Sequence, residues 1–166
     1  MQNKLRKMQY LLFLGIIFLP LAVQAVQVGE PMPSFTLNTL DGKKIESSDL
    51  FGKKPVFFVF WATWCPNCKA EIPYINEMAE EFGPKGMTFL GINVGVNDSE
   101  KKVRRYAAKY KIHYPLYFDK GSILTRKFKV SGTPTVIIVD KSGIVRYRDV
   151  APPPDLLMHF DALNQN

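Results

Sequence analysis

Residues 56–68, VFFVFWATWCPNC, set the architecture expected of the whole chain. This stretch opens within an almost unbroken apolar run over residues 55–61, which is typical of a central strand covered on both faces. After the cysteines, apolar residues recur at the spacing of a helix, at Ile72, Ile75, Met78, Ala79 and Phe82. Cys65 and Cys68 therefore lie at a predicted strand-to-helix junction.

These are the only two cysteines of the chain, and three kinds of site compete for them. A zinc site needs two further Cys or His ligands, but the only histidines, His113 and His159, stand far apart and in no ligand spacing. A structural disulfide across so short a loop constrains the unfolded chain by only about 2 kcal/mol, against about 5 kcal/mol for a long loop. A redox-active dithiol agrees best with the flanking strand and helix.

The two-residue spacing of the cysteines has a chemical reason. Cys65 is expected at the N-terminus of the helix, where free N–H groups and the helix dipole stabilise a thiolate, so it is the predicted nucleophile. Cys68 lies about one turn further along and is predicted to resolve the mixed disulfide. Pro66 suits the first helical turn because it has no N–H to leave unpaired. Trp64 is expected to cover one side of the pair.

Composition indicates one globular domain. The 166 residues are 46% hydrophobic and 22% charged, which excludes a disordered or collagen-like chain. The formal net charge is +7, but the basic residues are scattered and no stripe of them is interleaved with aromatics, so nucleic-acid binding is not predicted. One predicted helix carries a run of basic residues on a single face, which is typical of a solvated surface: Lys101, Lys102, Arg105 and Lys109.

Residues 1–25 have the pattern of an export signal. A basic start is followed by an apolar stretch over residues 11–23 and by small residues up to Ala25. The apolar stretch has about 13 residues, fewer than the ~20 that a membrane-spanning helix needs. We therefore expect a signal peptide over residues 1–25, with an uncleaved anchor as the alternative, and a single domain over residues 26–166.

The rest of the chain predicts alternating strands and helices. Residues 33–40 alternate apolar and polar side chains and are expected to form a hairpin with residues 43–45. Ser47 or Ser48 is expected to cap a single helical turn, and Pro73 to kink the long helix after the cysteines. Further strands are predicted over residues 87–94, 116–118, 135–139 and 144–148, and further helices over residues 97–110, 122–128 and 155–163.

Two segments resemble the thioredoxin superfamily: FWATWCPNC at residues 60–68 and GTPT at residues 132–135. The resemblance implies an α/β fold in which helices flank a central mixed β-sheet. It also implies that Pro134 is cis and that Pro134 and Thr133 shape the groove where the substrate backbone docks. The other substrate-binding residues that it implies are Trp64, Pro66 and Asn67.

The match narrows to the exported TlpA/ResA/CcmG-like thiol-disulfide oxidoreductases and covers nearly all of residues 28–163. These proteins have an N-terminal hairpin, here residues 35–45, and a central strand-helix insertion, here about residues 95–117. They share the pattern Cys-x-x-Cys-x-x-Glu-x-Pro, which ends here in Glu71-Ile72-Pro73. One departure is that residues 149–154 replace the Gly-containing turn that usually follows the last strand.

Cytosolic thioredoxins bury an acid on the central strand, where this chain has Val59, and the resemblance to ResA-like proteins implies that Glu71 takes its place. It follows Cys68 by three residues and lies near the same helical face. We predict that it is a catalytic group that accepts or relays the proton of the resolving thiol. The alternative is a surface carboxylate in an ion pair with Lys69 or Lys85.

Two other families fit the cysteine region less well. A copper-binding Sco-like protein has a CxxxC spacing and a ligand histidine, and the spacing here is different. A peroxiredoxin has a proline and a threonine where this chain has Phe58 and Ala62. We expect no metal site and no cofactor beyond the redox-active disulfide Cys65–Cys68.

The predicted activity is disulfide exchange with other proteins, carried out by a monomer. By resemblance, the enzyme reduces protein disulfides such as that of apocytochrome c awaiting haem. It does so in the periplasm or at the outer face of the cytoplasmic membrane of a bacterium. Since that compartment is oxidising, a reductase there needs a dedicated electron donor, which the resemblance identifies as a membrane thiol transporter of the CcdA/DsbD type. The alternatives are a general oxidant of exported proteins and a thiol-based metal-binding module.

Overall fold

The computed structural model describes residues 26–165, and its centre is a mixed sheet of five strands. In chain order the elements are β1 (Thr36–Asn38), β2 (Lys44–Glu46), α1 (Ser47–Leu50), β3 (Val56–Trp61), α2 (Pro66–Phe82), β4 (Thr88–Asn93), α3 (Glu100–Tyr110), β5 (Leu116–Phe118), α4 (Ile123–Lys127), β6 (Thr135–Val139), β7 (Val145–Asp149) and α5 (Leu156–Asn164). The sheet has the order β5-β4-β3-β6-β7, and β1 and β2 pair as a separate antiparallel hairpin. The predicted α/β class, mixed sheet and N-terminal hairpin are confirmed.

Strand β3 lies in the middle of the sheet and is buried at every residue. It runs parallel to β4 and antiparallel to β6, so backbone hydrogen bonds hold it on both sides. One face of β3 is covered by an aromatic cluster in which Phe128 lies 6.1 Å from Phe58 and 5.9 Å from Phe60, measured between ring centroids. Phe35, just before the hairpin, completes the cluster at 5.5 Å from Phe58.

The opposite face of β3 is covered by the longer helices. Since side chains alternate along a strand, Trp61 points away from the Phe58 side, and its ring lies 5.6 Å from that of Tyr106 on α3. At its far end α2 contacts α5, where the rings of Phe82 and Phe160 are 4.9 Å apart. Helix α2 is continuous through Pro73. Helices α2, α3 and α5 therefore form one layer over the sheet.

The insertion agrees with the sequence predictions, whereas the cap of the first helix differs from them. The insertion supplies α3 and then the edge strand β5, in the order predicted for residues 97–110 and 116–118. Leu40 beside the hairpin donates its N–H to the Leu116 carbonyl of β5, which links the hairpin to this edge. The predicted caps of α1, Ser47 or Ser48, are wrong, because Glu46 occupies the cap position and forms a reciprocal capping box with Asp49.

The predicted signal peptide, residues 1–25, lies outside the described residues. Within residues 26–165, no helix combines the length and the apolar character needed to cross a bilayer.

We expect Phe128→Ala to lower the free energy of unfolding by about 3–5 kcal/mol, because Phe128 is fully buried and its loss leaves a cavity beneath β3. Urea denaturation of the oxidised protein measures this change. Ile123→Ala, at a nearby side chain that is 61% exposed, is the control and should stay within about 0.5 kcal/mol of the unmodified protein. Equal losses in the two variants would contradict the assignment of Phe128 to the core.

Candidate active site

The cysteine pair lies where β3 ends and α2 begins. Cys65 is the N-cap residue of α2 and Cys68 lies in its first turn, and the two form a disulfide with their Cα atoms 5.3 Å apart. The Cys65 N–H bonds the Ala62 carbonyl, which turns the chain directly after the strand. Cys65 Sγ accepts the Cys68 N–H at 3.1 Å. Cys65 Sγ therefore accepts a hydrogen bond from one of the N–H groups that have no carbonyl partner in the first helical turn. The same hydrogen bond would stabilise a thiolate at this position.

Trp64 presents an exposed surface beside the disulfide. Its side chain is 49% exposed, and its indole Nε1 donates to the Val96 carbonyl at 2.7 Å. Pro66 and Asn67 are also exposed, in the first turn of α2. In contrast, the cysteine side chains themselves are buried, Cys65 at 4% and Cys68 at 5% exposure. A partner reaching the disulfide meets Trp64, Pro66 and Asn67 first.

The loop before β6 forms the other side of the site. The Thr133–Pro134 peptide bond is cis, as the resemblance implies. Trp64 and Thr133 line the same shallow depression of about 160 Å³, whose floor is apolar through Val94, Val96 and Val130. Trp64 and Thr133 are thus brought together as predicted substrate-binding residues, whereas Pro66, Asn67 and Pro134 lie outside the lining of this depression.

Glu71 occupies an apolar environment on α2. Its Oε2 atom is buried and has no hydrogen-bond partner among the described residues. Neither lysine of the alternative ion pair reaches it, because Lys85 bonds Glu81 and Lys69 lies over the ring of Tyr110. Burial without compensation raises the pKa of Glu71 to about 7. This carboxyl can therefore take up and release a proton near neutral pH.

Two tyrosines from distant elements share the environment of Glu71. Tyr114 lies before β5 and is buried, and Tyr147 lies on β7. Burial raises the pKa of both hydroxyls, and the negative charge of Glu71 raises both further. Neither residue stands out in the sequence, because neither lies near the cysteines along the chain.

Asp98 is a second functional candidate that the sequence analysis missed. Its carboxylate is completely inaccessible to solvent. It accepts hydrogen bonds from the Thr63 N–H at 2.9 Å and from Asn93 Nδ2 at 2.8 Å. It also forms an ion pair with Lys102, whose Nζ lies 2.9 Å from Asp98 Oδ1. Burial opposes ionisation, but the bonds from Thr63, Asn93 and Lys102 outweigh it and hold the pKa of Asp98 below its usual value. Asp98 thereby fixes the backbone two residues before Cys65.

Both histidines are exposed and paired with carboxylates. His113 Nδ1 lies 2.8 Å from a Glu80 oxygen, and His159 Nε2 lies 3.1 Å from an Asp155 oxygen. Neither pair includes a cysteine. Across residues 26–165, the structure contains no group of three or more His, Cys, Asp or Glu side chains able to hold a metal ion.

The raised pKa of Glu71 predicts a pH-dependent stability. From about pH 4.5 to about pH 7 the folded state holds this proton more firmly than the unfolded state, so the free energy of unfolding should fall as pH rises. We expect a fall of about 1–2 kcal/mol, after allowing for the partial exposure of the carboxyl. Urea denaturation of the oxidised protein at several pH values measures it.

The Glu71→Gln variant should lose this slope because its amide does not titrate. Glu77→Gln removes an exposed carboxyl from the same helix and should keep the slope of the unmodified protein. Stability curves that run parallel in the unmodified protein and Glu71→Gln would contradict the raised pKa.

Comparison with known proteins agrees with this site. Residues 28–148 match the AhpC/TSA family. The thiol-disulfide oxidoreductase ResA of Bacillus cereus is 35% identical over 122 residues, which span 74% of this chain and 69% of that protein.

Two solved structures share the fold. One is a thiol:disulfide interchange protein of the thioredoxin family from Chlorobium tepidum, with TM-score 0.66, 35% identity and coverage of 78% of this chain and 90% of that one. The other is a secreted disulfide oxidoreductase of Mycobacterium tuberculosis homologous to E. coli DsbE, with TM-score 0.64, 25% identity and coverage of 78% and 96%. These relatives are named for disulfide exchange. The cysteine region agrees with those names, because Phe58 and Ala62 stand where a peroxiredoxin has its proline and threonine. The chain belongs to the AhpC/TSA family and is a thioredoxin-like thiol-disulfide oxidoreductase of the ResA type.

Proposed function

We propose that this oxidoreductase works outside the cytoplasm as a reductase of protein disulfides, with apocytochrome c as a client and no cofactor beyond its own dithiol. The observation that carries the proposal is the hydrogen bond from the Cys68 N–H to Cys65 Sγ at the start of α2. In the reduced enzyme this N–H and the helix dipole stabilise a Cys65 thiolate, the species that attacks a disulfide.

The reaction runs in two exchanges. The Cys65 thiolate attacks one sulfur of the client disulfide, forms a mixed disulfide and releases the other client sulfur as a thiolate. Cys68 then loses its proton and attacks Cys65, which releases the second client thiolate and leaves the Cys65–Cys68 disulfide. Two electrons pass to the client. Glu71, three residues further along α2 and with a pKa of about 7, is the base that we assign to the Cys68 proton.

The substrate backbone is proposed to dock between Trp64 and the loop of Thr133 and Pro134. The depression there is shallow and apolar, and Trp64, which lines it, directly precedes Cys65 along the chain. An extended segment fits this shape better than a folded surface does, because the cysteine side chains do not protrude. An unfolded client with accessible cysteines, such as an apocytochrome, meets that requirement.

Export and the electron donor are part of the proposal. The basic and apolar pattern of residues 1–25 supports export to the periplasm or to the outer face of the cytoplasmic membrane, and one similar structure is of a secreted protein. A dithiol in that oxidising setting needs a supply of electrons, for which we propose a membrane thiol transporter of the CcdA/DsbD type. We propose that the enzyme acts as a monomer.

The direction of exchange is tested by the reduction potential of the cysteine pair. We expect a value closer to the about −270 mV of thioredoxin than to the about −120 mV of the oxidant DsbA. Equilibration of the purified domain with glutathione buffers, followed by thiol alkylation, measures it. A value near −120 mV would favour the general-oxidant alternative.

The clients are tested by trapping. Cys68→Ser removes the resolving thiol, so Cys65 should stay joined to its client in a mixed disulfide that survives non-reducing electrophoresis. Cys65→Ser is the matched control and should trap little, since it lacks the nucleophile. Recovery of an apocytochrome only with Cys68→Ser would support the proposed client, and its absence among the trapped proteins would remove it.

A further inference from the structure

Next to the cysteine pair, two helices bring basic and aromatic side chains together into one surface. We call this the basic surface and define it by Lys69 of α2 and by Arg105, Lys109 and Tyr110 of α3. The ammonium groups of Lys69 and Lys109 lie 5.0 Å and 5.3 Å from the centroid of the Tyr110 ring. Two positive charges from different helices therefore converge on one aromatic ring, an arrangement that holds their flexible side chains in place.

The basic surface is continuous with the active site. Lys69 follows Cys68 directly. The ring of Tyr110 lies 4.4 Å from that of Tyr106, which lies 5.6 Å from Trp61 at the end of β3. This row of packed rings anchors the surface to the strand that leads to the cysteines.

The charges of this surface are not neutralised within the described part of the chain. Lys69, Arg105 and Lys109 form no ion pair there, whereas the neighbouring Lys102 pairs with Asp98. Three acids of these two helices pair with other residues: Glu80 with His113, Glu81 with Lys85, and Glu100 with Arg104. The other two, Glu71 and Glu77 of α2, form no ion pair with the basic surface in the described part of the chain. Arg105 and Lys109 also border a surface depression of about 620 Å³ between side chains of α3. The depression is large enough to receive side chains of a partner.

We propose that the basic surface docks an acidic segment of the redox partner protein while the disulfide of that partner is exchanged at Cys65. This inference rests on the proposed function, because it assumes that the partner is a protein. A carboxylate held by Lys69 and Lys109 leaves the rest of the segment room to reach the cysteines. A bilayer against the same side chains would crowd the cysteine pair, so an acidic peptide is the better occupant.

The physical consequence is an association that depends on charge and on salt. Complementary charges at the edge of a site mainly raise the rate of encounter, and ions screen that effect over about 10 Å at 0.1 M salt. The enzyme should therefore prefer an acidic disulfide substrate to a neutral one at low ionic strength, and the preference should shrink as salt is added.

The experiment uses three synthetic peptides that contain the same disulfide, flanked by glutamates, glutamines or lysines. For each, kcat/KM of the reduced enzyme is measured at low and high salt. We expect the ratio of the glutamate to the glutamine peptide to be about fivefold at low salt and to approach one in Lys109→Glu, which replaces an attraction by a repulsion. The lysine peptide should be the slowest with the unmodified enzyme.

Lys53→Glu is the matched control, because it makes the same charge change at an exposed lysine. Lys53 precedes β3, and the six residues of that strand separate it by ~20 Å from the end of the strand that leads to the cysteines. The Lys53→Glu variant should keep the full preference. Equal kcat/KM for all three peptides would overturn the docking surface but leave the proposed function intact, whereas no exchange with any peptide would overturn both. Lys109-dependent binding to phosphatidylglycerol vesicles without a preference among the peptides would assign the surface to lipid and overturn the proposal.

Discussion

Strand β3 is completely buried, and it must lead to a reactive residue at its end without exposing its own apolar side chains. Both faces of the sheet therefore need cover. Phe35 and Phe128 supply it on one side, and α2, α3 and α5 on the other. Only the last residues before Cys65 emerge from this cover, so the position of the sulfur atoms follows from how the strand is packed. The chemistry is local, but its placement is a property of the whole fold.

Asp98 and Glu71 show how hydrogen bonding determines whether a buried carboxyl group is charged. Asp98 is inaccessible but accepts bonds from Thr63, Asn93 and Lys102, so it stays charged and acts as a fixed point for the backbone before the cysteines. Glu71 has a buried oxygen with no partner among the described residues, so its charged form is disfavoured. The first arrangement suits a structural anchor, and the second suits proton transfer.

Much of the fold could be predicted because its signals are local. The bounds of β6, residues 135–139, agree with the prediction, and the two-residue spacing of the cysteines indicates redox chemistry without any tertiary information. Asp98 could not be predicted because its partner Thr63 lies 35 residues away. Tyr114 and Tyr147, whose hydroxyls respond to the charge of Glu71, are brought near it only in the folded chain. The sequence could name the acid, but the structure was needed to show that no cation neutralises it within residues 26–165.

The position of both tryptophans close to the cysteines along the chain has an optical consequence. The chain contains two tryptophans, Trp61 and Trp64, and both precede Cys65 by four residues or fewer. One is buried against Tyr106 and the other is half exposed and tethered to the Val96 carbonyl. All tryptophan fluorescence of the molecule therefore originates at the reacting centre. An unlabelled sample carries its own emission probe of the thiol-disulfide cycle.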